Sequence, residues 1–121
     1  MYEQLPPGQN PVLPTGSPAL MGPYVFTSVQ REVAAMPGQD IEFRRGRITA
    51  HQLESCRPSY INACLIQSRG SRLPAPCSRC HAHPGTMTFP SCRHLPGAWG
   101  GACANCKWSD QASRCSVRDE V

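Results

Sequence analysis

The hydrophobic pattern changes character along the chain. Up to residue 23, six prolines and three glycines break every run, and neither helical nor strand periodicity emerges. Such a composition buries too little apolar surface to offset chain entropy, so a disordered arm is expected over residues 1–23. Two β-leaning runs follow, YVFTSVQREVA (24–34) and DIEFRRGRIT (40–49), separated by the turn-like MPGQ. A weakly ordered, β-leaning segment over 24–56, with room for a weak hairpin, fits that pattern. In RPSYINACLIQSRG, Tyr60, Ile61, Cys64 and Leu65 fall at i, i+1, i+4 and i+5, one helical face, with Arg57-Pro58-Ser59 as the start and Gly70 as the stop. This predicts a short amphipathic helix at about 59–68, lying against a cysteine-rich part at 57–118. From Pro74 onward the chain reads as loops punctuated by cysteine, with Trp99 and Trp108 the large aromatics beyond Phe89.

A length of 121 residues with 40% apolar content allows one small domain and excludes a large core. Eight cysteines in so short a chain mean bridges, metal or both. MYEQLPPGQNPVLPTGSP has neither the basic start nor the apolar run of a signal peptide, and no N-x-S/T acceptor occurs. No apolar stretch approaches the roughly 18 residues of a membrane span. An intracellular, reducing location is therefore expected, nuclear in preference to cytoplasmic, where thiols serve more as ligands than as disulfides.

Six cysteines carry the chemistry. They run Cys77-x2-Cys80-x11-Cys92-x10-Cys103-x2-Cys106-x8-Cys115, two copies of a CxxC followed at a distance by a single cysteine. Two residues between thiols let both sulfurs reach one tetrahedral ion, and a doubled CxxC is a much stronger metal signal than one pair. Six sulfurs suffice for one four-cysteine site with two thiols over, or for two zinc ions if two cysteines bridge. The symmetry favours the second, with Cys77 and Cys103 shared. Zinc is preferred to iron because a closed thiolate tetrahedron is typical of structural zinc and nothing calls for redox chemistry.

ACANCKWSDQASRCSVR resembles the second half of the fungal binuclear zinc cluster, which implies a two-zinc, six-cysteine knot. ACLIQSRGSRLPAPCSRC together with GACANCKWSDQASRCSVR is similar, over about residues 60–118, to a cysteine-rich domain of unknown function widespread in filamentous fungi. The first resemblance would imply DNA reading. A DNA-binding cluster, however, places about six residues, several of them basic, between its second and third cysteines. Here eleven intervene, HAHPGTMTFPS, with no Lys or Arg, and no coiled-coil heptads follow.

The fold expected is a small irregular zinc-stabilised domain with short helices behind the arm. From Arg44 to Arg118 eleven Lys or Arg face only Glu54 and Asp110. A polyanionic partner is thereby permitted, with Arg79, Arg93, Lys107, Arg114 and Arg118 as nucleic-acid contacts, and RRGR (44–47) is the one true cluster. Local neutralisation of thiolates explains the arginines beside the ligands equally well. Cys56 and Cys64 read as small hydrophobes, His81, His83 and His94 as outer-sphere or solvated groups, and both tryptophans as core cover. PCSRC matches half of a zinc deaminase signature, but HQLE (51–54) has one residue too many for the other half. No catalytic motif competes, so no enzyme and no small-molecule substrate are expected. A protein partner is preferred to nucleic acid, docking on Tyr60, Ile61 and Leu65 or on the Trp-bearing loops.

Overall fold

A computed structural model describes residues 10–16 and 18–119. Its centre is the helix α4, Pro58–Arg69, the longest element among the described residues. Pro58 sits at the first helical position, where its missing N–H costs nothing, and Gly70 ends the helix by donating to the Ile66 carbonyl at 2.7 Å. The expected helix is thus present at its expected place. It is not amphipathic, however, because all nine residues from Ile61 to Arg69 are buried. Elements from both parts of the described chain pack on α4, and the last α-helix, α6 (Ala104–Trp108), touches it most extensively.

Polar residues on an all-buried helix must find partners. Gln30 Nε2 donates to Asn62 Oδ1 at 2.9 Å, and Gln67 Nε2 donates to Ser91 Oγ at 2.9 Å. The Arg69 guanidinium donates to the Thr15 carbonyl, to Ser68 Oγ and to the Ala34 carbonyl, tying two distant segments to the helix end. Gly70 allows a close backbone approach, since a Cβ there would stand 2.3 Å from the His94 carbonyl oxygen.

The N-terminal region departs from expectation in two ways. Residues 1–9 and 17 of the predicted arm lie outside the described residues, but the described remainder carries structure. The strand β1 (Val12–Leu13) pairs antiparallel with β2 (Ile41–Glu42), and α1 (Pro18–Met21) buries Met21. Pro11 and Thr15 are buried too, because the loop to β2 supplies edge hydrogen bonds that a local reading cannot anticipate. Second, the run 24–34 is not a strand and forms no hairpin with 40–49: Ser28–Ala34 is a helix, α2. A capping box decides this, with Thr27 accepting from the Gln30 amide while the Gln30 side chain accepts from Thr27 N–H. Thr49 and Gln52 start the short helix α3 (Ala50–Glu54) in the same way.

One apolar core joins these parts. It runs from Met21, Val33, Ile41 and Ile48 through Ile61 and Leu65 to Phe89 and Trp108. A second cluster consists of the six C-terminal cysteines with Ala102. Among the described residues no helix is long and apolar enough to cross a membrane.

Cys64 belongs to the apolar core and not to the sulfur cluster, as a small hydrophobe would. Burial pushes its thiol up from 9.0 to about 12. Its neutral state therefore contributes stability that is complete below pH 9.0 and lost as the pH rises towards about 12. Half-buried Cys56, between α3 and α4, should be alkylated by iodoacetamide near pH 8 long before Cys64, and peptide mapping of labelled protein checks the order. Equal labelling rates would contradict this packing.

Candidate metal centre

The cysteine-rich part is built from two matching halves. In the first, β3 (Ser71–Arg72) leads to Cys77, which caps the helix α5 (Ser78–Ala82), and Cys92 stands just before β4 (Arg93–His94). In the second, Cys103 caps α6 and Cys115 closes a 3-10 turn over Ala112–Arg114. The two capping cysteines have nearly the same backbone, φ −61 and ψ 163 at Cys77 and φ −69 and ψ 158 at Cys103. β3 and β4 pair antiparallel, and Leu73 N–H continues the ladder to the Cys92 carbonyl, which holds Cys92 beside its CxxC.

Six sulfurs meet in the space between α5 and α6. Cys77, Cys80, Cys92 and Cys103 form one four-sulfur group and Cys77, Cys103, Cys106 and Cys115 another, each with all sulfurs within 4.8 Å of one another. Cys77 and Cys103, the first cysteine of each CxxC, belong to both. The Cys77–Cys103 sulfur separation is 3.6 Å, Cys77–Cys106 is 3.8 Å and Cys80–Cys103 is 3.9 Å. Sulfurs at about 2.3 Å from a tetrahedral ion stand about 3.8 Å apart, so the spacings are those of tetrahedron edges. Each of the eight cysteines of the chain is a free thiol.

Hydrogen bonds around the sulfurs repeat the twofold pattern. Cys77 N–H donates to Cys92 Sγ and Cys103 N–H to Cys115 Sγ, both at 3.3 Å. In each half, therefore, the first cysteine's amide supports the lone third one. Asn105 Nδ2 donates to Cys80 Sγ at 3.5 Å, and Arg79 Nη1 to Cys106 Sγ at 3.7 Å. Donors of this kind orient thiolate ligands and spread their charge.

The electrostatics call for a cation. Hydrogen bonds from Cys103 and then Cys80 pull Cys92 down to about 4, and bonds from Cys103 and then Cys106 pull Cys115 down to about 2. Cys103, bonded foremost to Cys106 and then to Cys115, is pushed far above the ordinary thiol range. Six thiols packed this closely cannot all ionise without a cation among them, and divalent cations would supply that charge. The donor set fits soft, tetrahedral metal.

All six predicted ligands are therefore brought together. The histidines stand apart: no nitrogen of His81, His83 or His94 joins either sulfur group, and His81 and His83 are exposed. Trp108 is 8% exposed in the apolar core, and Trp99 packs at its edge, which makes both core cover as expected. Of the basic residues, Arg79 serves Cys106 and Ser109, and Arg118 donates to the Cys115 carbonyl at 2.8 Å. Arg93 lies on β4 opposite Arg72, Lys107 is half-buried on α6, and Arg114 is exposed. The expected docking face is corrected. Ile61 and Leu65 are fully buried against the rest of the molecule, so no partner reaches them without unfolding it.

Asn105 is a site residue that the spacing argument passed over. It lies between the cysteines of the second CxxC, and its side chain joins both ends of Phe89: Oδ1 accepts from Phe89 N–H at 2.8 Å, and Nδ2 donates to the Phe89 carbonyl at 3.0 Å as well as to Cys80. An amide inside the ACANC stretch was the only sequence signal for it.

Fold and site together define a small cysteine-rich domain whose buried thiols could hold a metal ion. Within the chain, residues 63–118 match the model of a family described as a protein of unknown function (DUF3716), so this part is similar to a domain whose role is not assigned. No curated protein and no solved structure matches the chain.

Proposed function

We propose that the chain is a structural zinc module: two zinc ions, bridged by Cys77 and Cys103, close a six-thiolate knot on which an intracellular, nuclear interaction domain is built. The observation that carries this reading is the pair of four-sulfur groups sharing those two cysteines. The bound ions would supply folding free energy, on the order of 10 kcal/mol per structural site in small zinc peptides. Six thiolates would fill both tetrahedra and leave no open position for a substrate, so the role is not catalytic. Two zinc ions with six thiolates carry a formal charge of −2, and Arg79 at Cys106 offsets part of it locally.

A protein partner is favoured over nucleic acid because Arg79 and Arg118 are engaged at the cluster itself and the stretch between Cys80 and Cys92 offers no Lys or Arg. Native mass spectrometry of the chain purified without added metal tests the metal reading. The expected mass is that of the chain with two zinc ions and all thiols reduced. A single ion, another metal, or cystines among the six cysteines would overturn it.

A further inference from the structure

The RRGR turn plays no part in the metal centre, yet the fold brings two of its arginines to the cysteine-rich part. Three cavities lie side by side along the loop of residues 83–91. The central one, about 510 Å³, has Arg44, Arg72, His81 and His83 on its rim. Its walls are apolar, from Leu73, Pro76, Met87 and Pro90. On one side it shares Arg72, Pro90 and Ser91 with a cavity of about 350 Å³ that reaches Arg93. On the other it shares His83 and Met87 with a cavity of about 480 Å³ that reaches Arg47 and Arg79. The three neighbour one another across these shared residues.

None of Arg44, Arg47, Arg72, Arg79 and Arg93 is paired with a carboxylate among the described residues, although Arg79 is held at Cys106 Sγ and Arg44 at the Pro84 carbonyl. The register of β3 and β4 sets Arg72 directly opposite Arg93, a like-charge cross-strand pair that costs stability unless an anion comes between them. Asp40 and Glu42 line the cavity that also holds Arg72 and Arg93, and neither of the other two. The central cavity therefore sets basic side chains beside apolar ones, whereas the Arg79 end is lined mainly by polar residues. The aromatic rings beneath are no stacking platforms, since Phe89 is 1% and Trp108 8% exposed, and single-stranded nucleic acid relies on exposed rings.

The geometry points to a docking groove for an extended acidic peptide, one that alternates carboxylate and apolar side chains and runs along residues 83–91 from Arg93 towards Arg47 and Arg79. Carboxylates would meet the arginine rims, and apolar side chains would enter the proline- and methionine-lined floor. This rests on the protein-interaction reading above and names its partner chemistry.

Fluorescence anisotropy on the full, zinc-loaded chain tests it. The probe is a labelled peptide of about ten alternating Glu and Leu residues, compared with an oligo-Glu peptide of equal charge and with an oligothymidine strand. The Glu/Leu peptide should bind, oligo-Glu should bind more weakly, and Arg72→Glu should weaken the Glu/Leu peptide about tenfold or more. Arg72 is exposed and makes no side-chain bond to the rest of the described chain, so this variant should keep its zinc and its circular dichroism. Arg44→Glu should act in the same direction. Affinity unchanged in Arg72→Glu, or oligothymidine displacing the peptide, would overturn the groove assignment. Zinc content measured on the same samples separates the two readings: a chain with two ions and no peptide binding overturns the groove alone, and a chain without zinc overturns the module.

Discussion

Cys103→Ser should leave the chain without either metal ion, whereas Cys115→Ser should leave one. The difference follows from membership, since Cys103 belongs to both four-sulfur groups and Cys115 to one. Without Cys115 the group of Cys77, Cys80, Cys92 and Cys103 is still complete. Without the Cys103 sulfur each group falls to three sulfurs, although the backbone N–H that supports Cys115 is kept. Losing two sites worth on the order of 10 kcal/mol each exceeds the whole stability of an ordinary small domain, about 5–15 kcal/mol. Cys103→Ser should thus be degraded by protease as an unfolded chain, and Cys77→Ser should match it. Native mass spectra of the three variants decide the matter, and one ion retained in Cys103→Ser would refute a bridging role.

Trp108→Ala should be the most damaging change outside the cluster. The Trp108 ring lies 4.4 Å from Tyr60, tilted by 33°, and meets Phe89 edge-on at 5.9 Å. It fills the junction between α4, α6 and the loop that Asn105 fastens. Truncating a buried tryptophan costs about 3–5 kcal/mol, to which lost ring pairing adds about 0.5–1.5 kcal/mol per pair. Thermal melting of zinc-loaded protein should drop by roughly 10 °C or more, at about 4 °C per kcal/mol for a domain of this size. Zinc content at room temperature should not change, because Trp108 touches no sulfur group. A melt within about 1 kcal/mol of the parent would show that the α4–α6 contact does not carry the fold.

The neighbouring Arg57–Asp110 ion pair is a weaker fastening. Both side chains are half-exposed, and such pairs contribute little by themselves. Its interest lies in Asp110, held at φ 59 just past α6, where Asp also meets Ser59. The pair therefore fixes the end of α6 against the start of α4.

What could be read from the residues differed by region for a physical reason. The cysteine pattern is local chemistry: two residues between thiols force both sulfurs to one side of a tight turn, whatever the surroundings. Hence the convergence of six thiols, with Cys77 and Cys103 in both four-sulfur groups, was legible in the spacing. The helix of 58–69 was legible through Pro58 and Gly70, which act on the backbone itself. The run 24–34 misled because Val and Phe favour strands only weakly, and the Thr27/Gln30 capping box outweighed them. The box is a local signal that could have been found.

By itself, the sequence determined the six-thiol framework, the helix that leads into it and the smallness of the core. All of these follow from bonds and turns spanning a few residues. Only the tertiary structure decided that this helix is buried from Ile61 to Arg69, that Val12 and Leu13 pair with Glu42 and Ile41, and that Arg44 shares a cavity with Arg72 and Arg47 one with Arg79. Such contacts link residues dozens of positions apart. Their free energy comes from surface removed from water when whole segments close on one another, and no short window of residues carries that information.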